Sequence, residues 1–486
     1  MNQGESGRGN IDGASYPRLS EDQCDRIHAA VLEILDRVGV HLELEEAVDL
    51  LKKAGASVDE KGHVHVPPKL VEQALSTAPN KMVLHDREGR PAMPVEGHSC
   101  FYGPGSDCLN IIDHRTGERR KPILTDLIEG TRICDALPNI DFVMSMVLPS
   151  DVDTAIADRH QMAAMLANTT KPIVFVSYQF GGCVDAVEMA EAVAGGAEAL
   201  EKKPTLTCYI NVQTGLHHNV DALKKLLYLS GKNLPALYIP SSTCGVTCPM
   251  TPAGALAFDY AGALLGVVLS QLTREGAPVA VPGMPPGPLD MRTMVLPYVE
   301  PERGHPQALA HHYGLPMFSI GGATESKIVD QQAAIDATLS LMNATLSGGQ
   351  ITHDLGYLES GLTYSFAHLA ICDEIVSWLR AFGKGFDVND ETLALDVIAE
   401  AGPDGGYLHT EHTLNHFRER WYPELLERDS YESWLSKGGK SLHDRAVDRV
   451  EGILAEHRPE PLPEDTLDEL QRIVQRAEAS QESSQT

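Results

Sequence analysis

The stretch LPMFSIGGATESKIVDQQAAIDATLSLMNATL, residues 315–346, contains one complete strand–helix unit. Its apolar run ends at Gly321 and Gly322, and a long segment with apolar residues at helical spacing follows. A short, wholly apolar run is typical of a strand that is buried on both faces of a parallel sheet. The stretch therefore predicts a strand, a loop and a helix in succession.

The same unit recurs between about Ser99 and Tyr357. Eight apolar or β-branched runs are each followed by a helical pattern, and the runs are SCFYGPG, DFVMSMVLP, PIVFVSYQ, TLTCYINV, PALYIPS, PVAVPG, PMFSIGG and GQITHDLGY. Helical crossovers join parallel strands, and eight units over roughly 280 residues have the size of a (β/α)8 barrel. We predict an α/β fold built on a (β/α)8 TIM barrel. A doubly wound open sheet is the alternative, although no GxGxxG motif follows a strand.

Helical patterns flank the predicted barrel on both sides. We predict a disordered N-terminus over residues 1–18, N-terminal helices and short strands over 19–98, the barrel over 99–386, a helical C-terminal extension over 387–475 and a disordered tail over 476–486. The barrel is the part in which we expect the chemistry, because the flanking helices carry no catalytic motif.

The composition excludes some classes of protein. The net charge is −29, with 68 acidic against 39 basic residues, whereas nucleic-acid binding needs basic patches. No apolar run is long and clean enough to span a bilayer, and the start MNQGESGRGNIDGASYP lacks the apolar segment of a secretory signal. We predict a cytoplasmic protein with neither a nucleic-acid nor a membrane partner.

Cysteine and histidine spacing does not support a metal site. Cys244 and Cys248 form the one close pair among nine cysteines, and zinc usually needs three or four ligands. His409, His412 and His416 lie near one face of a predicted helix, where surface histidines are commoner than ligands. We predict reduced thiols and no bound metal.

Polar and aromatic side chains follow several predicted strands, at the end of the barrel where catalysis occurs. These residues are Tyr102, Tyr178, Gln179, Tyr209, Asn211, Gln213, Ser241, Ser242, Met284, Glu325, Lys327, His353, Asp354 and Tyr357. Tyrosine at a strand end is often only a rim residue, but several together favour a cation, because aromatic faces attract quaternary ammonium groups by roughly 0.5–2 kcal/mol each. His353 is either a core histidine or a ligand for a substrate carboxylate.

Two interpretations of Glu325 and Lys327 remain open. In the first, Thr324 is the N-cap of the following helix, Glu325 and Asp330 favour its positive end, and Lys327 lies in water. In the second, Glu325 or Lys327 faces the barrel mouth.

Long segments of the chain resemble the trimethylamine:corrinoid methyltransferase family. They are SEDQCDRIHAAVLEILDRVGV (20–40), CFYGPGSDCLNIID (100–113), GGATESKIVDQQAAIDATLSLMNATLSGGQITHDLGYLESGLTYS (321–365) and HTLNHFRERWYPELLERDSYESWLSKGGKSLHDRAVDRVEGIL (412–454). The resemblance covers roughly residues 19–453, and the family fold is a (β/α)8 barrel. Archaeal trimethylamine enzymes of the family carry pyrrolysine, which this chain lacks. The resemblance is therefore to the non-pyrrolysine branch, of which glycine betaine methyltransferase is a member.

The resemblance implies an activity and a set of contacts. It implies transfer of a methyl group from a quaternary amine, with glycine betaine giving dimethylglycine, to Co(I) of a separate corrinoid protein, by a homo-oligomer with no permanently bound cofactor. No catalytic residue is assigned, since positioning and desolvation suffice. The implied roles are a trimethylammonium pocket of Tyr102, Tyr209 and Tyr357, a carboxylate site of His353 with Asn211 or Gln213, and either Glu325 beside the cation or Lys327 beside the carboxylate.

Three other functions compete with this one. The first is the same reaction on carnitine, proline betaine, trimethylamine or another methylamine. The second is a betaine-binding protein without transfer activity. Binding alone needs neither an intact barrel nor a helical extension, which argues weakly against this function. The third is a zinc-dependent thiol methyltransferase, which requires a bound metal.

Overall fold

Seven parallel strands form the central sheet of the computed structural model, which describes residues 16–299, 301 and 303–485. They are β1 (Phe101–Pro104), β2 (Ile173–Val176), β3 (Leu206–Val212), β4 (Ala236–Pro240), β5 (Val279–Gly283), β6 (Met317–Ile320) and β7 (Ile351–Leu355). Their order in the sheet is β1-β7-β6-β5-β4-β3-β2, and every neighbouring pair is parallel. Each strand lies within one of the predicted runs.

The one predicted run that contains none of these seven strands is DFVMSMVLP, the second in chain order. It closes the barrel without forming a regular strand. Asp141 N donates to Tyr102 O at 2.7 Å on the β1 side, and Val143 N donates to Pro172 O at 2.9 Å on the β2 side. The irregularity has a local cause: the Asp141 carboxylate, rather than a backbone carbonyl, accepts the Tyr102 N–H at 2.8 Å. The predicted (β/α)8 barrel is confirmed, because this segment links the two edge strands of what would otherwise be an open sheet.

Alternate residues of each strand fill the barrel interior. Phe101 and Phe318 lie there with Phe142, Val174, Leu237, Ile239, Ala280 and Ile351. The hairpin Met82–His85/Pro91–Val95 covers the amino ends of the strands, since His85 N bonds Pro204 O and Arg87 N bonds Thr170 O, just before β3 and β2. Ligand access is therefore from the carboxyl ends.

The helix Pro252–Thr273 is apolar around its whole circumference. Its length and composition are sufficient to cross a membrane, whereas the sequence analysis expected no such segment. In the folded protein, 83% of its most apolar window is buried. The helices Glu21–Glu33, Glu45–Ala54 and Pro68–Thr77 pack on it from outside. A barrel helix covered on both sides needs no polar face.

The remaining elements surround the barrel. Further helices are Leu124–Ala136, Ala157–Asn168, Phe180–Ala194, Ala197–Lys202, Val220–Gly231, His305–Tyr313, Gln331–Leu346, Phe366–Lys384, Asp390–Leu393, Leu395–Ala401, Glu411–His416, Tyr431–Ser436, Leu442–Glu456 and Glu464–Gln485. Short strands are His41–Leu42, Ser57–Val58, Val64–His65, Asn110–Ile112, Arg119–Arg120, His217–His218, Thr243–Cys244, Gly287–Pro288, Tyr357–Leu358 and Thr363–Tyr364, and single turns of helix are Ile34–Val38, Glu359–Gly361 and Phe417–Glu419.

The C-terminal extension packs on the outside of the barrel helices. Its helix Leu442–Glu456 contacts Leu124–Ala136 and Phe366–Lys384, and Glu464–Gln485 contacts Ala157–Asn168 and Phe180–Ala194. Arg476 pairs there with Asp185 and Glu188. The tail expected to be disordered from residue 476 is thus helical through Gln485, whereas residues 1–15 of the predicted disordered N-terminus lie outside the described residues.

Gly262 provides a test of this packing. A Cβ atom at Gly262 would lie 2.3 Å from the backbone O of Gly215, in the loop after β3. We expect Gly262→Ala to lower the free energy of unfolding by about 1–3 kcal/mol, because a backbone atom has to move. Denaturant titration measures this effect, with Gly231→Ala as the control, since no atom lies within 4 Å of the Cβ there. Equal losses in both variants would contradict the close approach.

Candidate active site

A cavity of about 560 Å³ opens at the carboxyl ends of β3 to β6. It is lined by residues of two loops, 241–252 and 284–298, by Arg303 and His305, and by Asn211, Pro240 and Ile320 at the ends of the strands. Its polar lining residues are Asn211, Ser241, Ser242, Asp259, Tyr298, Arg303 and His305. Its position is the one in which barrel enzymes bind their substrates.

A buried histidine–aspartate pair lies in the barrel interior at the end of β7. The His353 ring stacks on Phe318 at 4.0 Å between centroids, and its Nδ1 lies 2.5 Å from Asp354 Oδ1. His353 Nε2 has no hydrogen-bond partner among the described residues. Because the carboxylate only accepts, Nδ1 donates, and in the neutral ring Nε2 presents a lone pair.

A β-bulge brings both side chains inside the barrel. Consecutive residues of a regular strand point to opposite faces, but the pairing of β7 with β1 shifts register between Thr352 and Leu355. Asp354 has φ +83°, a strained value for a residue with a side chain. Such strain costs about 1–3 kcal/mol and concentrates at functional sites.

Three tyrosines lie near the Asp354 carboxylate. Burial raises the pKa of Tyr209 to about 12 and the pKa values of Tyr298 and Tyr357 well above 10, and the negative charge of Asp354 adds to each shift. The ring of Tyr209 lies 6.0 Å from His353, and the rings of Tyr298 and Tyr357 lie 6.4 Å apart. Tyr298 also lines the cavity. The three tyrosines therefore lie close enough to Asp354 for its charge to act on them, and we call the four residues the tyrosine box (Tyr209, Tyr298, Asp354, Tyr357).

A second carboxylate, Asp107, lies next to the tyrosine box. It follows β1 with φ +60° and accepts hydrogen bonds from Ser145 Oγ and Gln161 Nε2, both at 2.9 Å. Burial raises its pKa to about 6, which these hydrogen bonds partly offset. Asp107 also contributes to the shift in the pKa of Tyr357, so its charge acts on the tyrosine box.

A third carboxylate, Asp259, lines the cavity. It belongs to the helix Pro252–Thr273 and is 4% exposed. Its Oδ2 accepts from Ser242 N at 3.4 Å, and hydrogen bonds from both the backbone and the side chain of Ser242 favour its charged form. Burial raises its pKa to about 7.

The structure brings together some of the residues nominated from the sequence. Tyr209, His353 and Tyr357 meet at Asp354, and Asn211 lines the cavity. Gln213 is exposed one residue beyond β3 and does not line the cavity.

Tyr102 does not contact the cavity, and its nomination as a substrate contact was wrong. Phe101 occupies the interior position of β1, so Tyr102 points outward into the helix layer. Its Oη lies 2.7 Å from Thr345 Oγ1, and the Arg380 guanidinium lies 5.6 Å from its ring centre. With 1% of its surface exposed, it has no access to a substrate.

Glu325 and Lys327 follow neither interpretation fully. The helix begins at Gln331 with Asp330 as its N-cap, so Thr324 does not cap it. The half-buried Glu325 carboxylate accepts the Tyr298 backbone N–H, which fixes one wall of the tyrosine box. Lys327 is exposed and donates to the carbonyl O of Glu325 at 2.7 Å.

Asp107, Asp259, Tyr298 and Phe318 were not nominated from the sequence. Asp107 lies in the quoted segment CFYGPGSDCLNIID, and Phe318 lies in a predicted strand. Their positions in the sequence could therefore have identified both as candidates. Nothing in the sequence places Tyr298 of a long loop, or Asp259 of an apolar helix, at the cavity.

The cavity holds no metal-ligand set among the residues described. Cys244 lines it and its thiol donates to Pro286 O at 3.2 Å, and Cys248 lies close by in the same loop. The group His41, Glu43 and His217, whose ligand atoms lie within 4.8 Å of one another, lies away from the cavity lining. His416 pairs with Glu419 and Glu391 on the surface.

Together, fold and cavity have the arrangement of a (β/α)8-barrel enzyme, with a cavity at the carboxyl ends of its strands. The sequence model of the family "Trimethylamine methyltransferase (MTTB)" matches residues 10–482. The chain belongs to this family of methyltransferases.

Named relatives cover almost the whole chain. It is 33% identical over 480 residues to "Trimethylamine methyltransferase MttB" of Desulfitobacterium hafniense (strain DSM 10664 / DCB-2), covering 98% of this chain and 96% of the relative. It is 29% identical over 466 residues to "Glycine betaine methyltransferase" of Desulfitobacterium hafniense (strain Y51), covering 94% of this chain and 96% of the relative. The crystal structure of the Methanosarcina barkeri monomethylamine methyltransferase (MtmB) superposes with a TM-score of 0.50 at 12% identity, covering 92% and 89% of the two chains, which supports the barrel fold.

The raised pKa of Asp259 predicts a pH-dependent stability. Because the folded pKa, about 7, exceeds the unfolded value of 3.8, the contribution of Asp259 is fully favourable below pH 4 and is lost as the pH rises through 7. We expect Asp259→Asn to gain about 3 kcal/mol of unfolding free energy relative to wild type between pH 4 and pH 8. Denaturant titrations across this range measure the gain, and parallel pH profiles of the two proteins would contradict the buried carboxyl.

Proposed function

We propose that the protein transfers a methyl group from a quaternary amine, with glycine betaine as the simplest candidate, to Co(I) of a corrinoid carried by a separate protein. The observation that carries this proposal is the tyrosine box: a buried carboxylate among three tyrosines at the catalytic end of a barrel. Membership of the trimethylamine methyltransferase family supports the reaction class, and a glycine betaine methyltransferase among the relatives supports the substrate.

The tyrosine box has the chemistry that a quaternary ammonium group requires. A buried carboxylate is costly unless a cation or hydrogen bonds compensate it, and the one side-chain ion-pair partner of Asp354 within the described residues is His353. A trimethylammonium group has no N–H to donate, so it binds through charge and aromatic faces. Asp354 supplies the charge and Tyr209, Tyr298 and Tyr357 supply the faces.

The structure changes the role that we assign to His353. Its Nδ1 donates to Asp354, so the ring lies at the cationic end of the substrate, where a carboxylate of the substrate would be repelled. His353 therefore orients Asp354. The carboxylate of a betaine extends into the cavity, where Asn211, Arg303 and His305 line the walls. Glu325 positions Tyr298 through its backbone, and Lys327 takes no part.

The reaction needs little from the protein beyond positioning. The C–N bond breaks, its electron pair stays on nitrogen, and a neutral tertiary amine leaves, so no general acid is required. The corrinoid supplies Co(I), a strong nucleophile that accepts the methyl group. The chain holds the cation, excludes water from it and directs one methyl group out of the barrel.

The partner protein has room to approach the cavity. Met250, Met291 and Met294, all more than 60% exposed, lie on the two loops around the cavity. Exposed methionines suit adaptable binding surfaces, and here they would contact the edge of the corrin ring or the protein that carries it.

A homo-oligomer and a cytoplasmic location stay predictions. Exposed apolar side chains concentrate in residues 382–435, including Phe386 at 88% and Leu408 at 91% exposure. A surface of this kind is typical of an interface between protein chains, and we expect a second copy of the chain to cover it.

The first test is methyl transfer from a panel of amines to chemically reduced cob(I)alamin, followed by the absorbance of methylcobalamin. We expect conversion with glycine betaine and none with trimethylamine, because a tertiary amine is a poor methyl donor without activation. Conversion of trimethylamine alone would contradict the quaternary-amine assignment. If no free cobalamin is methylated, repeating the assay with Co(I) bound to a corrinoid protein decides between partner dependence and absence of activity.

A matched pair of variants tests the tyrosine box. We expect Tyr209→Leu to lower kcat/KM for glycine betaine by about tenfold or more, the loss of one desolvated cation–π contact. Tyr102→Phe should stay within about twofold of wild type, because its buried hydroxyl bonds Thr345 in the helix layer and not a residue of the cavity lining. The same methylcobalamin assay measures both. Equal losses in the two variants, or a larger loss in Tyr102→Phe, would contradict the assignment.

A further inference from the structure

Three side chains that can bind a metal meet outside the cavity, where the N-terminal region contacts the loop after β3. The short strands His41–Leu42 and His217–His218 pair in parallel, with His41 opposite His217. Alternate residues of an extended chain point to the same face, so Glu43, directly after the first of these strands, lies on the face of both histidines. The ligand atoms of these three side chains all lie within 4.8 Å of one another.

Hydrogen bonds hold this arrangement in place. His41 N donates to Leu216 O at 2.9 Å, which fixes the first segment against the loop. Glu43 Oε1 lies 2.8 Å from His217 Nε2, and Glu43 Oε2 accepts the Val220 N–H at 3.3 Å. The backbone therefore orients one carboxylate oxygen, and the other oxygen faces the histidine.

The distances are close to those between the ligands of a bound ion. Zinc lies about 2.0–2.2 Å from histidine nitrogens and carboxylate oxygens, so two such ligands at the tetrahedral angle lie roughly 3.3 Å apart. The rings of His41 and His217 have centroids 4.7 Å apart and planes at 87°. His41 and Glu43 are exposed and His217 is half-buried. Small rotations of these side chains are therefore sufficient to direct all three ligand atoms at one ion.

We propose that His41, Glu43 and His217 bind Zn²⁺ or another divalent transition metal that prefers imidazole nitrogen. Two histidines and one carboxylate are a ligand set of zinc sites in which water takes the fourth position, and the exposure of this group leaves that position open to solvent. Mg²⁺ and Ca²⁺ prefer oxygen ligands, so two imidazoles select against them. Among the residues that the structure describes, no other three histidine, cysteine or acidic side chains bring their ligand atoms so close together.

The ion connects two distant parts of the chain. Glu43 and His217 are 174 residues apart, so spacing along the sequence does not reveal the group. His41 and Glu43 belong to the N-terminal region, whereas His217 belongs to the loop after β3. In that loop the Gly215 N–H donates to Ser242 Oγ at 3.2 Å, and Ser242 lines the cavity. The metal thus fastens the N-terminal region to a loop that supports the cavity wall.

Calorimetric titration of untagged, EDTA-treated protein with zinc chloride tests the site. We expect one Zn²⁺ to bind per chain, and magnesium chloride at the same concentration to give no comparable binding. His41→Ala and His217→Ala should each weaken zinc binding by about tenfold or more, because losing even a residue that only supports a ligand costs about 10–100-fold. Zinc should also raise the Tm of wild type but not of these variants, since the ligands meet only in the folded chain.

Glu43→Gln and Glu72→Gln form a matched pair for the same titration. Each removes a carboxylate whose oxygen lies 2.8 Å from a histidine Nε2, at His217 and at His28 respectively. Glu43→Gln should weaken zinc binding by about tenfold or more. Glu72→Gln should keep the wild-type affinity, because within the described chain His28 and Glu72 belong to no group of three ligands. Equal weakening in the two variants would show a general attraction to acidic side chains and would overturn the site.

Two further results would overturn the proposal. The first is a wild-type protein that binds no Zn²⁺, or binds it with an affinity that is unchanged in both His41→Ala and His217→Ala. The second is loss of the binding in His416→Ala, which would place the metal on the surface pair His412 and His416, whose rings lie 4.4 Å apart. His217→Asn replaces His217→Ala if the alanine variant does not fold.

Discussion

The site depends on one contact, the 2.5 Å hydrogen bond between His353 and Asp354 at the bulge of β7. The positive φ of Asp354 turns its carboxylate into the barrel, where a Cβ on Gly105 would lie 2.3 Å from Oδ1 and 2.2 Å from the ring of Tyr357. Only glycine leaves room there, so the ends of β1 and β7 close on the same charge. The rings of Tyr209, Tyr298 and Tyr357 then lie near a buried carboxylate, and in the proposed function an arriving cation compensates its charge.

Stability is given up at this mouth to obtain a binding site. Asp107 and Asp354 both have positive φ, and burial raises the pKa values of Asp107 and Asp259 to about 6 and about 7. Buried carboxylates and strained backbone each destabilise the folded chain, and proteins retain them where function requires them. The apolar barrel interior and the fully covered helix Pro252–Thr273 compensate elsewhere.

The sequence predicted the barrel because eight apolar runs alternate with helical patterns. The pattern repeats so often that the prediction holds even though the run that begins at Asp141 forms no regular strand. The site was predicted less well. Strands buried on both faces show no alternation, so the sequence FYG did not reveal that Phe101 faces inward and Tyr102 outward. The inward turn of Asp354 requires a bulge, and Tyr298 reaches the site from a long loop through Glu325. Both depend on tertiary packing, which short-range patterns do not encode.

The central claim is that the tyrosine box recognises positive charge. Calorimetric titration with glycine betaine and with tert-butylacetate, in which carbon replaces nitrogen at nearly the same shape, tests it most directly. The account predicts that the charged ligand binds about thirtyfold or more tightly, as roughly 2 kcal/mol of cation–π attraction and the Asp354 charge require. Equal affinities would show that the box recognises shape alone and would contradict the account.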